Sequence, residues 1–295
     1  MPTPGLSLVG FMEQVHAIKY MQANCVMPNP SDAALIAEWM TATANLGQPF
    51  TDAGRPDIQP IPPTSECQTY IQQLQQQPWV QDFLRTYPTG TFQVVEIDPL
   101  LAFQFHISLE HSDGRCDALS LGPGIGELMP ICLPQMPPQT SIRTSGNGQS
   151  LLVAADSLNV RMVAQGIYNA AQGPFPPPGQ PPLPPNAAGI LFGVSMPFTH
   201  VVRFNDRCYL ANGFHRALGA RKRGAGRIPC FFREVAAAEE VGITIDGTTF
   251  PLQLLESPNP PTLGHFTRGR AHTVPLRKVM RVLQVNWSQH ALPME

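Results

Sequence analysis

The spacing of apolar residues changes along the chain, from a helical period to a strand period. NPSDAALIAEWMTATANLG predicts a helix that begins after Ser31 as N-cap and ends at Gly47. SECQTYIQQLQQQ predicts a second helix with Ser65 as N-cap, and WVQDFLRTY predicts a short third one after Pro78. Together these patterns predict a helical N-terminal region over residues 1–90.

From residue 91 the apolar positions alternate with a period of two, as in strands. The segments with this pattern are TFQVVEI, LLAFQFHISL, QSLLVAA, NVRMVAQGIY and GILFGV. Residues 173–185 hold eight prolines in thirteen positions, which predicts an extended or polyproline II segment. That loop is either a stiff connection between strands or a docking site for an aromatic groove. We expect an α+β domain over residues 91–250 and a C-terminal extension over 251–295 with one strand, MRVLQVNW.

A hairpin, a turn and a helix follow one another between residues 199 and 235. THVVRF and RCYLANG alternate and are joined through Asn205-Asp206, which predicts a β-hairpin. Gly213 then breaks the pattern, residues 214–223 are helical in spacing, and RIPCFFREV predicts the next strand. The expected order is therefore strand, glycine turn, helix, strand.

Composition and charge remove several classes of protein. Only 14% of residues are charged and the formal net charge is −2, without the basic excess typical of duplex-DNA binders. The six cysteines form no CxxC pair and no secretory signal precedes them, so we expect reduced packing residues rather than disulfides. No apolar stretch of 18 residues occurs. These features predict a cytoplasmic protein with no membrane partner.

The start of the predicted helix has the features of an anion site. A glycine before a helix leaves the first backbone N–H groups open to a negatively charged ligand. Arg216 lies in this first turn, where a cation opposes the helix macrodipole, so a nearby anion would account for it. The predicted phosphate-binding residues are Asn212, Gly213, Phe214, His215 and Arg216.

The segment NGFHRALGARKRGAGRIPCFFRE is similar to the second sequence box of the ParB/sulfiredoxin superfamily. The family pattern falls on Gly213, His215, Arg216, Ala217, Ala220, Ile228 and Pro229. VVEIDPLLAFQFH, with Glu96, Asp98 and Gln104, resembles the first box. The resemblance implies a mixed sheet whose strand-turn-helix binds the phosphates of a nucleotide.

The departures from the family narrow what the resemblance implies. Sulfiredoxins keep their catalytic cysteine where this chain has Phe214, which argues against sulfinic-acid reduction. No helix pair follows the second box, which argues against a chromosome-partition ParB. The remaining expectation is phosphoryl transfer or hydrolysis with a nucleoside di- or triphosphate and Mg²⁺. Glu96 and Asp98 would hold the metal or act as base, unless they are ordinary solvated residues.

The C-terminal segment supports a second reading of the protein. Arg268, Arg270 and Arg277 interleave with aromatic residues, a pattern that suits contact with single-stranded nucleic acid. The same segment also alternates as an edge strand with solvated charges would. The alternative function is a non-catalytic protein that binds nucleic acid or a protein partner on the same scaffold.

Overall fold

The computed structural model describes most of the chain as two compact units. It describes residues 2–28, 30–136, 142–147, 150–155, 160–168, 187–194, 197–243, 249–267, 269–277 and 282–286. The first unit comprises Met1–Pro137 and Pro197–Lys278, and the second Pro138–Met196 and Val279–Glu295. The predicted boundaries at residues 90 and 250 do not coincide with these units. The proline-rich segment 173–185 lies outside the described residues.

The first unit combines helices with two β-sheets, so the chain has the α+β class expected from the sequence. Its helices are α1 (Gln14–Asn24), α2 (Asp32–Ala44), α3 (Ser65–Gln75), α4 (Pro78–Thr86), α5 (Leu109–Cys116), α6 (Ile125–Cys132), α7 (Phe214–Lys222) and α8 (Leu252–Leu255). Its strands are β1 (Thr3–Ser7), β2 (Ile58–Pro60), β3 (Thr91–Glu96), β4 (His106–Ser108), β9 (His200–Phe204), β10 (Arg207–Asn212), β11 (Arg227–Glu234) and β12 (His272–Leu276). Short 3₁₀ turns lie at Val9–Phe11, Ala238–Val241 and Leu263–His265.

The larger sheet is mixed and has the strand order β10-β9-β11-β3-β2. β11 runs parallel to β9 and antiparallel to β3, and β9 and β10 form an antiparallel hairpin. Asn205 and Asp206 adopt positive φ angles of 48° and 57° in its two-residue turn, as type I′ geometry requires. The hairpin predicted from the sequence is confirmed.

The structure confirms one of the two predicted N-cap residues and places the other one residue earlier. The Ser31 hydroxyl accepts from the Ala34 N–H and caps α2, as expected. The cap of α3 is Thr64, which accepts from the Cys67 N–H, so Ser65 is the first helical residue rather than the cap. Threonine is also a good N-cap residue, so Thr64 can cap this helix in place of Ser65.

The smaller sheet, of order β12-β1-β4, corrects two expectations. β1 falls in a region expected to be helical, and it pairs with β4 and β12 from later in the chain. Of the predicted strand LLAFQFHISL only His106–Ser108 forms a strand, and Leu101 and Gln104 make isolated bridges. Both differences arise from partners distant in sequence.

The core of the first unit is aromatic and aliphatic. Phe231 of β11 packs against Phe83 of α4, with ring centroids 4.6 Å apart, and against Phe92 of β3, with ring centroids 5.8 Å apart. Buried side chains of β3 and α6, Val94 and Met129, pack with Phe92 and continue this core. All six cysteines of the chain are buried free thiols, which pack as small apolar side chains.

The second unit has two sheets in its described part. The strands are β5 (Ile142–Asn147), β6 (Ser150–Ala155), β7 (Val160–Tyr168), β8 (Ala187–Val194) and β13 (Val282–Asn286). One sheet is antiparallel with order β13-β6-β5, and the other is the antiparallel pair β7-β8. β13 confirms the strand expected in the C-terminal extension.

Candidate functional site

The turn between β10 and α7 can be built only by glycine. Gly213 is the N-cap of α7 with φ 101° and ψ 18°, in the left-handed region that disfavours other residues. A Cβ atom at this position would lie 2.8 Å from Thr199 Oγ1 and 3.0 Å from Thr199 Cα. As a glycine, the N-cap residue has no side chain with which to cap α7. Its first-turn N–H groups therefore lack the cap that most helices have.

Thr199 places a buried hydroxyl beside this turn. Its backbone N–H donates to Cys132 O at 2.7 Å, and its carbonyl accepts from Phe231 N–H at 2.8 Å. Among the described residues its buried Oγ1 has no oxygen or nitrogen partner, and the group close enough to hydrogen-bond with it is the weakly polar Cys132 thiol. A buried polar atom without a partner costs about 1–3 kcal/mol, so it marks a place where a ligand could contribute one.

Arg216 is buried and has no carboxylate partner among the described residues. Only 7% of its surface is exposed, and its guanidinium donates one long hydrogen bond, 3.5 Å, to the carbonyl of Ile131 at the end of α6. Burial lowers the pKa of Arg216 to about 10, so the group remains charged at neutral pH. A buried cation with one weak acceptor is an energetically costly arrangement that an anion would relieve.

The other basic residues after Gly213 are neutralised within the chain. They pair as Arg221 with Asp98, Lys222 with Asp113, Arg223 with Asp117 at 3.2 Å, and Arg227 with Asp57. These cations lie at the C-terminal end of α7 or beyond it, where they also complement the helix macrodipole. Arg216 is thus distinct from them in both burial and pairing.

His215 is held as a neutral donor at the same turn. Its Nε2 accepts from the Ser108 N–H at 3.3 Å, so Nδ1 carries the proton of the neutral ring. Burial lowers the pKa of His215 to about 3, and electrostatic interactions with His111 and Arg115 lower it further. A neutral imidazole beside a helix N-terminus can donate a hydrogen bond to an anion without changing protonation state.

Phe214 and Asn212 have different places at the turn. The Phe214 side chain is buried and packs edge-to-face on Phe103, with centroids 5.5 Å apart. Of the groups of Phe214, only the backbone N–H could therefore donate a hydrogen bond to a phosphate. Asn212 is the last residue of β10, opposite His200 of β9.

The predicted catalytic carboxylates lie away from the turn. Asn212 pairs with His200, and His200 with Phe231 of β11, whereas Glu96 pairs with Arg227 at the start of β11. Phe231 and Arg227 are four residues apart on β11, so Glu96 lies about 13 Å along the sheet from Asn212.

Each carboxylate is also engaged locally. Asp98 accepts two hydrogen bonds from Arg221, in the last turn of α7. Glu96 accepts from the Asp57 N–H at 3.4 Å. Glu96 and Asp98 therefore lie together at the end of β3 and not at the Gly213 turn. Their catalytic role stays a prediction.

The predicted nucleic-acid contacts make bonds to their own chain. Arg270 stacks 4.8 Å from the Phe50 ring centroid and donates to Gln48 O at 3.2 Å. Arg277 donates to Cys25 O at 3.1 Å. Arg268 lies outside the described residues. Contact of this region with nucleic acid stays a prediction.

Comparisons with known proteins leave the site to be judged on its own geometry. No family model, curated protein or solved structure matches the chain. Within the described ranges, no group of three or more His, Cys, Asp or Glu side chains could hold a metal ion. No helix of that part of the chain is long and apolar enough to cross a membrane.

Three contributors to the site carry no recognisable sequence signal. Thr199 immediately precedes the strand β9, Ser108 caps a short helix, and Arg115 lies in a polar helix with no motif. Their positions depend on which strands and helices pack together. Only the Gly213–Arg216 segment could be recognised from local sequence.

Proposed function

We propose that this protein binds the phosphate group of a nucleotide at the turn between β10 and α7. The observation that carries the proposal is Arg216, a buried guanidinium with no carboxylate partner among the described residues. It belongs to the first turn of a helix whose N-cap residue, Gly213, has no side chain to cap the first N–H groups. The unpartnered Thr199 hydroxyl lies against the same turn.

A phosphate satisfies each of these groups at once. Its negative charge pairs with Arg216 and with the positive end of the α7 macrodipole. Its oxygens accept from the backbone N–H groups after Gly213, from the Thr199 hydroxyl and from Nδ1–H of His215. A carboxylate would supply charge but fewer oxygens, so the number of donors favours phosphate over a carboxylate ligand.

The order of elements supports a ParB/sulfiredoxin-like relationship as part of the proposal. A strand ends at Asn212, a left-handed glycine follows, and a helix leads to a strand that contains Pro229. The sheet that receives both strands is mixed. This arrangement agrees with the one implied by the sequence resemblance, and it supports nucleotide phosphates as the ligand class.

Phosphoryl transfer or hydrolysis is the less supported half of the proposal. It needs a group that orients or deprotonates the acceptor close to the bound phosphate. Glu96 and Asp98 lie about four strand residues from the turn, and Asp98 is paired with Arg221. Magnesium is normally held by one or two carboxylates together with phosphates, and these two carboxylates are not placed for that at the Gly213 turn.

Calorimetric titration tests the proposal directly. The purified protein is titrated with inorganic phosphate, ADP, ATP, CTP and GTP, with and without Mg²⁺. We expect at least one nucleotide to bind, and Arg216→Met to weaken that binding by about tenfold or more. Arg221→Met, which removes a neighbouring paired cation of α7, is the matched control and should leave binding within about twofold. Absence of binding to every ligand in the panel would overturn the proposal.

A further inference from the structure

A cavity of about 380 Å³ lies at the turn end of the β9–β10 hairpin, away from the Gly213 turn. Its lining residues are Arg55, Pro56, Arg203, Asp206 and Cys208. Cys208 precedes Gly213 by five residues, roughly 15 Å of strand, so the cavity is separate from the proposed phosphate site. Its volume lies within the range of ordinary small-molecule sites, about 300–1,000 Å³.

The backbone around the cavity is fixed by hydrogen bonds between segments that are distant in sequence. The Cys208 N–H donates to Gly54 O at 2.8 Å, and the Gly54 N–H donates to Pro99 O at 2.7 Å. Cys208 also pairs with Arg203 across the hairpin. These bonds hold the segment before Arg55 against β10, so the cavity is formed before any ligand binds.

Two of the three charged residues that line the cavity have no partner in the folded chain. The Arg203 guanidinium donates to Glu234 at 2.7 Å and stacks 5.1 Å from the Phe232 ring centroid, so its charge is compensated. Arg55 and Asp206 are exposed, and throughout the described ranges neither makes a side-chain hydrogen bond or an ion pair. One positive and one negative charge therefore line the same cavity without pairing with each other.

The remaining lining residues offer apolar surface. Pro56 is buried, and so is Cys208. Burial raises the pKa of the Cys208 thiol, which therefore stays protonated and behaves as a small apolar group. Both residues can contact the methylene groups of a ligand whose charged ends meet Arg55 and Asp206.

We infer that this cavity binds a small zwitterion, a compound with a carboxylate and an ammonium group on one short aliphatic chain. The carboxylate pairs with Arg55 and accepts from the Arg203 N–H groups that Glu234 does not use. The ammonium group pairs with Asp206. Because Glu234 compensates Arg203, the charges left at the cavity sum to zero, and a net-neutral ligand matches them better than a simple anion or cation.

NMR titration of the ¹⁵N-labelled full chain follows weak binding residue by residue. The probes are glycine, β-alanine, 4-aminobutyrate and 6-aminohexanoate, in which an increasing number of methylene groups separates the two charges. Acetate and ethylammonium, which each carry one of the charges, are the reference ligands. We expect one zwitterion to bind at least about fivefold more tightly than either reference, with shifts at the amides of residues 55 and 203–208.

Two substitutions then test the two ends of the ligand separately. Asp206→Asn retains the hairpin, since asparagine tolerates the φ of 57° at this position, and it should weaken the zwitterion about fivefold while leaving acetate within about twofold. Arg55→Met should weaken both the zwitterion and acetate about fivefold. The control is Arg85→Met, in an exposed arginine of α4 that pairs with Asp82, and it should change neither.

Two results would overturn the inference. One is a series in which every zwitterion binds as weakly as acetate and ethylammonium. The other is wild-type affinity for the tightest zwitterion in both Arg55→Met and Asp206→Asn. Neither result bears on the Gly213 turn, because the two sites share no residue.

Discussion

Replacing Arg216 by methionine should stabilise the ligand-free protein, the opposite of the usual effect of a core substitution. Burial lowers the pKa of Arg216 from 12.5 to about 10, and one unit corresponds to about 1.4 kcal/mol. The folded state therefore carries a charge penalty on the order of 3 kcal/mol at pH 7, below both pKa values, where the penalty is fully present. Methionine keeps much of the side-chain volume without the charge. Allowing for imperfect packing, we expect a gain of about 1–2 kcal/mol in the free energy of unfolding.

Urea denaturation at pH 7 measures this gain as a shift of the midpoint at constant slope. Arg221→Met is the control, because it breaks the ion pair with Asp98 and leaves a half-buried carboxylate without its partner. We expect that variant to lose about 1 kcal/mol. The reasoning is refuted if Arg216→Met loses 3 kcal/mol or more, the cost typical of breaking a compensated buried ion pair. That result would mean that Arg216 is already satisfied by the protein itself.

Three further changes probe the same site and the core. Gly213→Ala should lower the free energy of unfolding by about 1–3 kcal/mol, because φ is 101° and the added Cβ would meet Thr199; urea denaturation measures this loss. The variant should also bind phosphate more weakly by calorimetry. Thr199→Val should leave the free energy of unfolding unchanged or raise it, because it removes a buried hydroxyl that has no oxygen or nitrogen partner among the described residues. The same variant should bind phosphate about tenfold more weakly by calorimetry, and an unchanged affinity would exclude the hydroxyl as a ligand. Burial lowers the pKa of His265 to about 4, so unfolding free energy should fall by on the order of 3 kcal/mol between pH 6.5 and 4, and a His265→Gln variant should show a shallower pH dependence.

Elements determined by neighbouring residues could be predicted from the sequence. The hairpin follows from Asn205-Asp206, residues that tolerate positive φ, between two alternating strands. The start of α2 follows from Ser31, and α7 follows from Gly213 together with the helical spacing after it. Each signal lies within a few residues of the structure that it determines, so no tertiary information is needed.

Features that depend on distant partners could not be predicted in this way. β1 has too few residues for its alternation to stand out, and it becomes a strand because β4 and β12 pair with it on both sides. The basic run after Gly213 looks uniform in sequence, but the folded chain brings Asp98, Asp113 and Asp117 to part of it. The same packing pairs Asp98 with Arg221 in the last turn of α7 and Glu96 with Arg227 at the start of β11, away from the turn that both were expected to serve.

The basic residues of α7 differ in whether they have an acidic partner, and this difference indicates which of them serve the fold and which could serve a ligand. The cations near the C-terminal end of α7 and at the start of β11 each have an aspartate partner, so the packing of this region does not depend on a ligand. Arg216 lies five residues before Arg221, and among the described residues its guanidinium donates to one acceptor, the Ile131 carbonyl, at 3.5 Å. If burial alone explained it, a methionine or leucine would pack at the same position at lower cost. A charge kept at that position, beside a left-handed glycine and an unpartnered hydroxyl, is best accounted for by an anion that the folded protein binds.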